Sequence, residues 1–252
     1  MTKPTIRLPE GFYLHELEVI DSTNEEAKRL ADKGAHSGAL IWARQQTSGR
    51  GRRGRAWSSP VGNLYSSLLL RPDCALFEAA KLTFLIAVAM AEAIELVSGN
   101  RIRPDCKWPN DLMVNGRKIS GILLESASNN GSETDYLVIG AGVNVAFYPD
   151  DAERPATSLS ALGAPVSVGE LLSAYVARVA SWLPVWEKQG FAPVREAWLT
   201  RAYGIGEPVI ARLTERTLEG TFVGLDDDGS LVLREAGGTE HRVGAGEVFF
   251  KA

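Results

Sequence analysis

Hydrophobic and polar positions divide the chain into two parts with different patterns. Before residue 203, apolar runs of strand length are mixed with longer helix-like segments, without a regular alternation of strand and helix. After it, short apolar runs are separated by Asp-Gly and Gly-Gly turn pairs, which is typical of an all-β unit. The pattern predicts an α+β domain with a mixed or antiparallel sheet over residues 1–203, and a small β-barrel over residues 204–252.

Capping residues and helix breakers mark the predicted helices. Ser22, with Glu25 three positions later, forms a capping box and predicts that the first helix begins there. A long apolar helix is predicted over residues 76–97. A later helix begins near Ser167, and Pro184 should bend or split it because proline removes one helical hydrogen bond.

Strand candidates occur in both parts. In the first part they cover residues 38–43, 63–70, 111–114, 117–125 and 136–145. In the second part they cover residues 208–213, 217–225, 230–234 and 240–243. The pair Asn115-Gly116 between two of these runs is the strongest short hairpin signal in the chain.

Composition and charge exclude several classes of protein. The 252 residues are 45% hydrophobic and 23% charged, which are globular values rather than those of a disordered or fibrous chain. No apolar run reaches the ~18 residues of a membrane-spanning helix, and the N-terminus lacks the apolar stretch of a secretory signal. A net charge of −4 does not indicate a general nucleic-acid binder. We therefore expect a cytoplasmic globular protein with two reduced cysteines.

A run of arginine and glycine at residues 44–55 is the first candidate for chemistry. It holds five arginines, three glycines and no acidic residue. Glycines let backbone N–H groups converge on an anion, and guanidinium groups bind phosphate or carboxylate in a bidentate way. A solvated basic loop and a nucleic-acid-binding segment are the alternatives. The position of the run inside a folded acidic domain, between two strand candidates, favours a phosphate or carboxylate clamp.

The predicted hairpin carries the second candidate. A two-residue turn at residues 115–116 predicts a register with Leu112 opposite Ile119. In that register Asp111 and Lys118 are diagonal neighbours on one face, within reach of each other's side chains. An ordinary surface ion pair is the alternative, worth under about 1 kcal/mol.

Weaker signals surround these two candidates. Gly121 interrupts a strand, and a ligand approaching the backbone is one reason for a glycine there. The small polar residues 22–24 open a helix, where free N–H groups can bind a polar ligand, although capping alone explains Ser22. The segment 140–145 combines two glycines with the amide of Asn144.

Five motifs occur in a fixed order along the chain. They are Gly-Arg-Gly-Arg-Arg-Gly-Arg-Ala-Trp at 49–57, Lys-Trp-Pro-Asn-Asp-Leu at 107–112, Gly-Arg-Lys-Ile-Ser-Gly-Ile-Leu-Leu-Glu at 116–125, Gly-Ala-Gly-Val-Asn-Val at 140–145 and Pro-Ala-Thr-Ser-Leu at 155–159. From about residue 13 to the end, the chain resembles the biotin–protein ligase family, also called biotin–[acetyl-CoA-carboxylase] ligase.

The resemblance implies an ATP-dependent ligase with a mixed-sheet catalytic domain and a C-terminal SH3-like barrel. Such an enzyme converts biotin into biotinyl-5′-AMP and transfers it to a lysine of a biotin carboxyl carrier protein. Only 20 residues precede Asp21, too few for the DNA-binding domain that other members carry. We therefore expect the short monofunctional form, with no nucleic-acid or membrane partner, as a monomer or weak homodimer.

The resemblance also implies roles for individual residues. The catalytic cations are Lys118 and Arg52. The residues expected to bind biotin are Ser22, Thr23, Asn24, Gln46, Gly49, Arg50, Gly51, Arg52, Lys118 and Gly121. Those expected to bind ATP or the adenylate are Arg52, Arg55, Trp57, Asn110, Asp111, Lys118 and Asn144. No dedicated metal site is expected, since Mg²⁺ should arrive with ATP, and Asp111 is a candidate contributor to its binding.

Three alternatives to this function remain at the level of the sequence. A lipoate or octanoate transferase has a similar fold and also uses a pocket lysine. A nucleic-acid-binding module would use the arginines of residues 44–55. A biotin-binding protein without turnover would release no pyrophosphate.

Overall fold

The computed structural model describes residues 6–129, 133–150, 155–213 and 216–250, and these form two sheets and five α-helices. The strands of the first sheet are β1 (Tyr13–Ile20), β2 (Ala39–Gln46), β3 (Leu64–Leu70), β4 (Asp105–Lys107), β5 (Asp111–Val114), β6 (Arg117–Asn129) and β7 (Glu133–Val143). The helices are α1 (Thr23–Asp32), α2 (Leu76–Ala79), α3 (Leu82–Val97), α4 (Val168–Gln189) and α5 (Ala192–Leu199). The second sheet contains β8 (Pro208–Arg212), β9 (Thr217–Leu225), β10 (Leu231–Arg234), β11 (Glu240–Val243) and β12 (Glu247–Phe250).

The first sheet is mixed, as the sequence predicts. Its strands lie in the order β1-β2-β3-β7-β6-β5-β4. β1 and β2 are parallel, and the other described pairs are antiparallel. The second sheet, in the order β11-β10-β9-β8-β12, is antiparallel throughout its described pairs. No helix in the described part of the chain is long and apolar enough to cross a membrane.

Two helical layers cover the first sheet. Helix α3 is apolar on nearly every side and lies in the larger core beneath one face. Helix α1 covers the other face, where Ala27 and Ala31 pack against Ile41, Leu69 and Val138. The small side chains of α1 let its N-terminus approach the sheet closely.

Several local predictions are wrong. The helix predicted over residues 76–97 is broken between α2 and α3, where 3₁₀-type bonds such as Thr83 N to Ala80 O replace the helical ones. α4 continues through Pro184, so the predicted split does not occur, and the predicted bend stays a prediction; Trp182 and Trp186 pack against the core on both sides of the proline. The Ser22 side chain makes no capping hydrogen bond to α1, although the helix begins where it was expected.

The sequence also failed to predict three strands, which are short or lie at a sheet edge. β1 and β4 are the two edges of the first sheet, and β12 is an edge of the second. β1 is only partly buried along its length, so its apolar alternation is weak. β4 has three residues, fewer than a pattern can indicate.

The hairpin register differs from the predicted one by a β-bulge. Val114 pairs with Arg117 as expected, but Leu112 lies opposite Ser120 rather than Ile119. The extra residue is Ile119, which lies where the neighbour of β6 changes from β7 to the segment that begins at residue 155. There Lys118 N donates to the oxygen of Pro155 at 2.9 Å, instead of bonding to β7.

The first sheet with its helices forms one unit, and the second sheet forms a second unit. A single continuous apolar core runs through both units. The β9–β10 turn of the second unit packs against the first, because Trp108 Nε1 donates to the carbonyl oxygen of Gly229 at 3.1 Å. At Gly229, φ is +83°, and a Cβ would lie 2.8 Å from Phe84 Cε2. Phe84 is itself held between Phe191 and Trp198. This contact requires a glycine.

Substitution of Gly229 tests the importance of this contact. Gly229→Ala should lower the free energy of unfolding by about 1–3 kcal/mol, because it adds left-handed strain and a clash with Phe84. Thermal unfolding measures the loss. Gly237→Ala is the matched control, since its φ is outside the left-handed range and nothing lies within 4 Å of its added Cβ. Equal melting temperatures for the two variants would contradict the proposed packing.

Candidate active site

A cavity of about 250 Å³ opens beside the N-terminus of α1 and the strands β6 and β7. The predicted site residues that line it are Ser22, Thr23, Asn24, Gln46, Arg50, Gly51, Arg52, Arg55, Trp57, Asn110, Asp111, Lys118, Gly121 and Asn144. The fold thus collects into one cavity residues that are widely separated along the chain.

Gly49 is the predicted site residue that does not line the cavity. A Cβ at Gly49 would lie less than 3.0 Å from both the Ser59 hydroxyl and the Trp57 carbonyl oxygen. Its backbone also accepts a hydrogen bond from Trp57 N at 2.9 Å. Gly49 therefore lets the arginine-glycine loop turn back on itself, and its contact with biotin stays a prediction.

Lys118 and Asp111 form the ion pair that the hairpin pattern predicts. The Nζ–Oδ1 distance is 2.5 Å, and the lysine side chain is 26% exposed, so its cation faces the cavity. The ammonium group also lies 5.4 Å from the centre of the Trp57 ring. A Cβ at Gly121 would be 3.2 Å from Lys118 Nζ and 3.1 Å from the Trp57 ring. The glycine in mid-strand therefore makes room for both side chains.

Trp57 lies directly on the backbone of β7. A Cβ at Gly142 would be 2.7 Å from Trp57 Nε1 and Cε2. The indole nitrogen is buried and has no hydrogen-bond partner among the described residues. The Trp57 indole therefore contributes a flat aromatic surface to the cavity wall beside the Lys118 cation, and its N–H is a hydrogen-bond donor without a partner among the described residues.

Acidic and polar side chains of the same protein bind the arginines of the arginine-glycine loop. Arg50 pairs with Glu25, and its Nη2 lies 3.1 Å from a Glu125 oxygen. Arg52 Nη1 donates to the Asn110 side-chain oxygen at 3.1 Å. Burial lowers the pKa of the Arg52 guanidinium below its usual value, but arginine keeps its proton at any physiological pH.

The C-terminal half of the loop is paired with the second unit. Arg55 contacts Glu247 of β12, and Arg53 Nη1 lies 3.8 Å from the same carboxylate. Arg44, the first arginine of the run, lies in β2 and pairs with Glu16 at 3.0 Å, away from the cavity. Glu247 was not predicted from the sequence, because a single acid in a short barrel strand carries no local signal.

A connected set of polar side chains lies at the α1 end of the cavity. Ser67 Oγ is 2.5 Å from Asn24 Oδ1 and 2.7 Å from Thr23 Oγ1. Thr23 Oγ1 is 3.0 Å from Gln46 Oε1, and Gln46 Nε2 donates to Ser59 Oγ at 2.9 Å. Neither Ser67 nor Ser59 was predicted from the sequence as a site residue. The alternation of β3 indicates only that Ser67 faces the α1 side of the sheet.

Asn144 is held by the segment that begins at residue 155. Its Nδ2 donates to the Thr157 carbonyl oxygen at 3.0 Å, and its backbone N donates to Ile119 O at 2.9 Å. Asn144 thereby ties the end of β7 to the bulge beside Lys118.

Comparison with known proteins identifies the family. Residues 16–144 match the Biotin/lipoate A/B protein ligase family, and residues 204–251 match the Biotin protein ligase C terminal domain. The chain is 42% identical over 236 residues to biotin–[acetyl-CoA-carboxylase] ligase of Paracoccus denitrificans, a match that covers 91% of this chain and 97% of that protein. The chain belongs to the biotin protein ligase family.

Solved structures of the family share the fold. Biotin protein ligase from Aquifex aeolicus in complex with biotin and ATP has a TM-score of 0.80 and 29% identity, covering 94% of this chain and 98% of that one. The enzyme from Leishmania major in complex with biotinyl-5-AMP has a TM-score of 0.65 and 26% identity, with 92% and 98% covered. The predicted architecture, a mixed-sheet catalytic domain with a small SH3-like C-terminal unit, is confirmed.

Glu125 links the arginine-glycine loop to α1 through Arg50 and Lys28. Its carboxylate accepts hydrogen bonds from Asn24 Nδ2 and Lys28 Nζ, both at 2.7 Å, and from Arg50. Burial alone would raise the pKa of Glu125, but the hydrogen bonds from Lys28 and Asn24 outweigh burial and hold the pKa below its ordinary value. The motif that ends at Glu125 was identified from the sequence, but no role was assigned to this residue.

The lowered pKa predicts how stability depends on pH. Because the folded pKa lies below the ordinary value of 4.5, ionised Glu125 stabilises the fold above that pH and loses this contribution as the pH falls through the folded pKa. Glu125→Gln should therefore unfold at lower urea concentration than the wild type at pH 7, with a smaller difference at pH 4. Glu10→Gln, at an exposed position, should match the wild type at both pH values. A constant difference for Glu125→Gln would contradict the assignment.

Proposed function

We propose that this enzyme uses ATP to convert biotin into biotinyl-5′-AMP, and then transfers the biotinyl group to a specific lysine of a biotin carboxyl carrier protein. The observation that carries the proposal is the cavity itself. One end holds a connected set of neutral polar groups suited to a ureido ring, and the other end holds Lys118, Arg52 and Arg55. A ligand with a polar head and an anionic tail fits this arrangement.

The chemistry explains why cations are needed at that end. In the first step a carboxylate oxygen of biotin attacks the α-phosphorus of ATP, and pyrophosphate leaves. In the second step the lysine amine attacks the acyl carbon, and AMP leaves. Both steps concentrate negative charge around the α-phosphate, so fixed positive charges that are already in place lower the barrier.

Different residues of the cavity are proposed to bind different parts of the substrates. Lys118, held by Asp111, is the proposed central cation between the biotin carboxylate and the α-phosphate. Arg52, held by Asn110, is its proposed partner. The proposed adenylate contacts are Arg55, Trp57, Asn110, Asp111 and Asn144. The proposed biotin contacts are Ser22, Thr23, Asn24, Gln46, Gly49, Arg50, Gly51 and Gly121.

Mg²⁺ is proposed to accompany ATP. In the described part of the chain, no three His, Cys, Asp or Glu side chains are grouped as metal ligands. Mg²⁺ is commonly held by one or two carboxylates together with substrate phosphates, so the Asp111 carboxylate in the cavity is a suitable protein ligand. When bound, the ion would neutralise part of the phosphate charge.

The alternatives are less well supported by the geometry. The ring of lipoate and the tail of octanoate carry no N–H groups, so they offer no hydrogen-bond donor to the polar side chains that line the cavity near α1. In the arginine-glycine loop, Arg50 and Arg55 are already paired with protein carboxylates, which disfavours a nucleic-acid interface. Four expectations stay predictions. They are that the protein has no nucleic-acid partner, that it is a monomer or weak homodimer, that it is cytoplasmic, and that the domain boundary lies between residues 203 and 204.

Turnover with defined substrates tests the function. The enzyme should catalyse biotin-dependent exchange between ATP and pyrophosphate, and should add one biotin to a carrier domain as measured by intact mass. Exchange with lipoate in place of biotin would favour the transferase. Oligonucleotide binding that falls steeply with salt would favour the nucleic-acid module.

Lys118→Gln tests the central cation. Glutamine keeps a hydrogen-bond donor near the buried Asp111 but removes the charge, so the fold should persist while pyrophosphate exchange falls about a thousandfold, or roughly 4 kcal/mol of barrier. Lys33→Gln, at an exposed position outside the cavity, is the control and should keep wild-type exchange. Near-normal exchange by Lys118→Gln would remove Lys118 from this role.

A further inference from the structure

The turn that joins β4 to β5 forms part of the cavity wall. Lys107 pairs with Asp111 across this hairpin, so the turn consists of residues 108–110, and all three line the cavity. Trp108 is 4% exposed and Asp111 is 9% exposed. The turn is therefore packed between other parts of the protein, and its position depends on what it contacts.

The first residue of the turn is held by the second unit. Trp108 Nε1 donates to the carbonyl oxygen of Gly229 at 3.1 Å, in a buried hydrogen bond. The acceptor is itself fixed in place, because Gly229 N donates to Asp226 O at 3.0 Å and the Phe84 ring lies against the glycine. The indole of Trp108 therefore has a rigid partner in the second unit.

The strand before the turn is attached on the same side. Cys106 N donates to Arg201 O at 2.6 Å, and Tyr203 N donates to Cys106 O at 2.9 Å, in the segment that leads into the second unit. Lys107 Nζ lies 5.6 Å from the centre of the Phe250 ring of β12. Three consecutive residues are thus in contact with the second unit or the segment that leads into it.

The other end of the same hairpin turn holds the two proposed catalytic cations. Asn110 Oδ1 accepts from Arg52 Nη1 at 3.1 Å, and Asp111 Oδ1 lies 2.5 Å from Lys118 Nζ. The backbone oxygen of Asn110 also accepts from Ile122 N at 2.9 Å. One short segment therefore connects the second unit to both cations.

We propose that Trp108 is a positioning residue for the formation of biotinyl-5′-AMP, through which the second unit fixes the geometry of the two cations. This inference rests on the proposed function. Trp108 acts through its neighbours, because only Pro109 separates it from Asn110. The proline ring fixes one of the two flexible backbone angles of that residue, so a displacement of the indole is passed to the side chains that hold the cations.

The α1 end of the cavity is held by different elements. Thr23 N and Oγ1 lie 2.8 and 3.0 Å from Gln46 Oε1, and Asn24 Nδ2 donates to the Glu125 carboxylate at 2.7 Å. These contacts join α1 to β2 and β6 without the second unit. Loss of the Trp108 contact should therefore disturb the cations and leave the proposed biotin contacts near α1 in place.

Trp108→Phe tests the hydrogen bond, because phenylalanine keeps an aromatic surface in the cavity wall and removes the N–H. With saturating substrates, the rate of biotin-dependent exchange between ATP and pyrophosphate should fall about tenfold, since a misplacement of about 1 Å can cost up to a hundredfold in rate. The dissociation constant for biotin, measured by calorimetry without ATP, should stay within about twofold of the wild-type value.

Arg195→Gln is the matched control for weakened contact between the units. Arg195 Nε, on α5, donates to Leu225 O of the second unit at 2.8 Å, and Arg195 does not line the cavity. Its melting temperature should fall, as that of Trp108→Phe should, because both variants lose a contact between the units. Its exchange rate should stay within about twofold of the wild-type rate.

Gly229→Ala tests the same hydrogen bond from the acceptor side, because it moves the turn that carries the carbonyl oxygen. Measured well below its melting temperature, it should slow exchange and spare biotin binding, as Trp108→Phe should. In the double variant the two losses in rate should not add, because both substitutions disrupt one contact.

The outcomes distinguish this inference from the function on which it rests. If the wild-type enzyme neither binds biotin nor catalyses exchange, the proposed function fails. If the wild type is active and folded Trp108→Phe exchanges as fast as Arg195→Gln, Trp108 does not position the cations. A parallel loss of biotin binding and exchange would also overturn the inference, because it would show a general collapse of the site. If Trp108→Phe does not fold, Gly229→Ala decides between these outcomes.

Discussion

The site depends on concentrating positive charge in a partly buried cavity and holding each cation in place. Arg50, Arg52, Arg55 and Lys118 line one cavity, and like charges repel more strongly where water is partly excluded. Protein carboxylates offset this repulsion. They come from different elements: Glu25 from α1, Asp111 from β5, Glu125 from β6 and Glu247 from β12. The site is therefore assembled only when these four elements are in their final positions.

Close approach of backbone to side chain is the second requirement of the site. Gly121 makes room for Lys118 and Trp57, Gly142 for the Trp57 indole, and Gly140 for the Asn24 amide. All three lie on the adjacent strands β6 and β7, on the face that α1 covers. A larger side chain at any of them would occupy the volume in which the ligand and its contacts must fit. The glycines thus decide the depth of the cavity, and the charged residues decide what it attracts.

The second unit contributes to the site as well as to stability. Its core is continuous with that of the first unit, and the turn at Gly229 accepts the Trp108 indole proton. Gly246, Glu247 and Val248 line the cavity, and Glu247 pairs with two arginines of the loop. The small unit thereby holds one half of the loop while α1 and β6 hold the other half. The loop position depends on both units being docked.

The sequence by itself determined the features whose physical causes are local. The Asn115-Gly116 turn brings Asp111 and Lys118 together within one hairpin, and the arginine-glycine run places cations and flexible backbone in one loop. Only the tertiary structure decided which carboxylates restrain those cations and which amides face the ligand. Glu125 is 101 residues from Asn24, and Glu247 is 192 residues from Arg55. A single acid in a strand pattern looks the same wherever it occurs, and its partner depends on which strands become neighbours. The bulge at Ile119 has the same cause, since the segment that takes the free edge of β6 at Lys118 comes from residues 155–157.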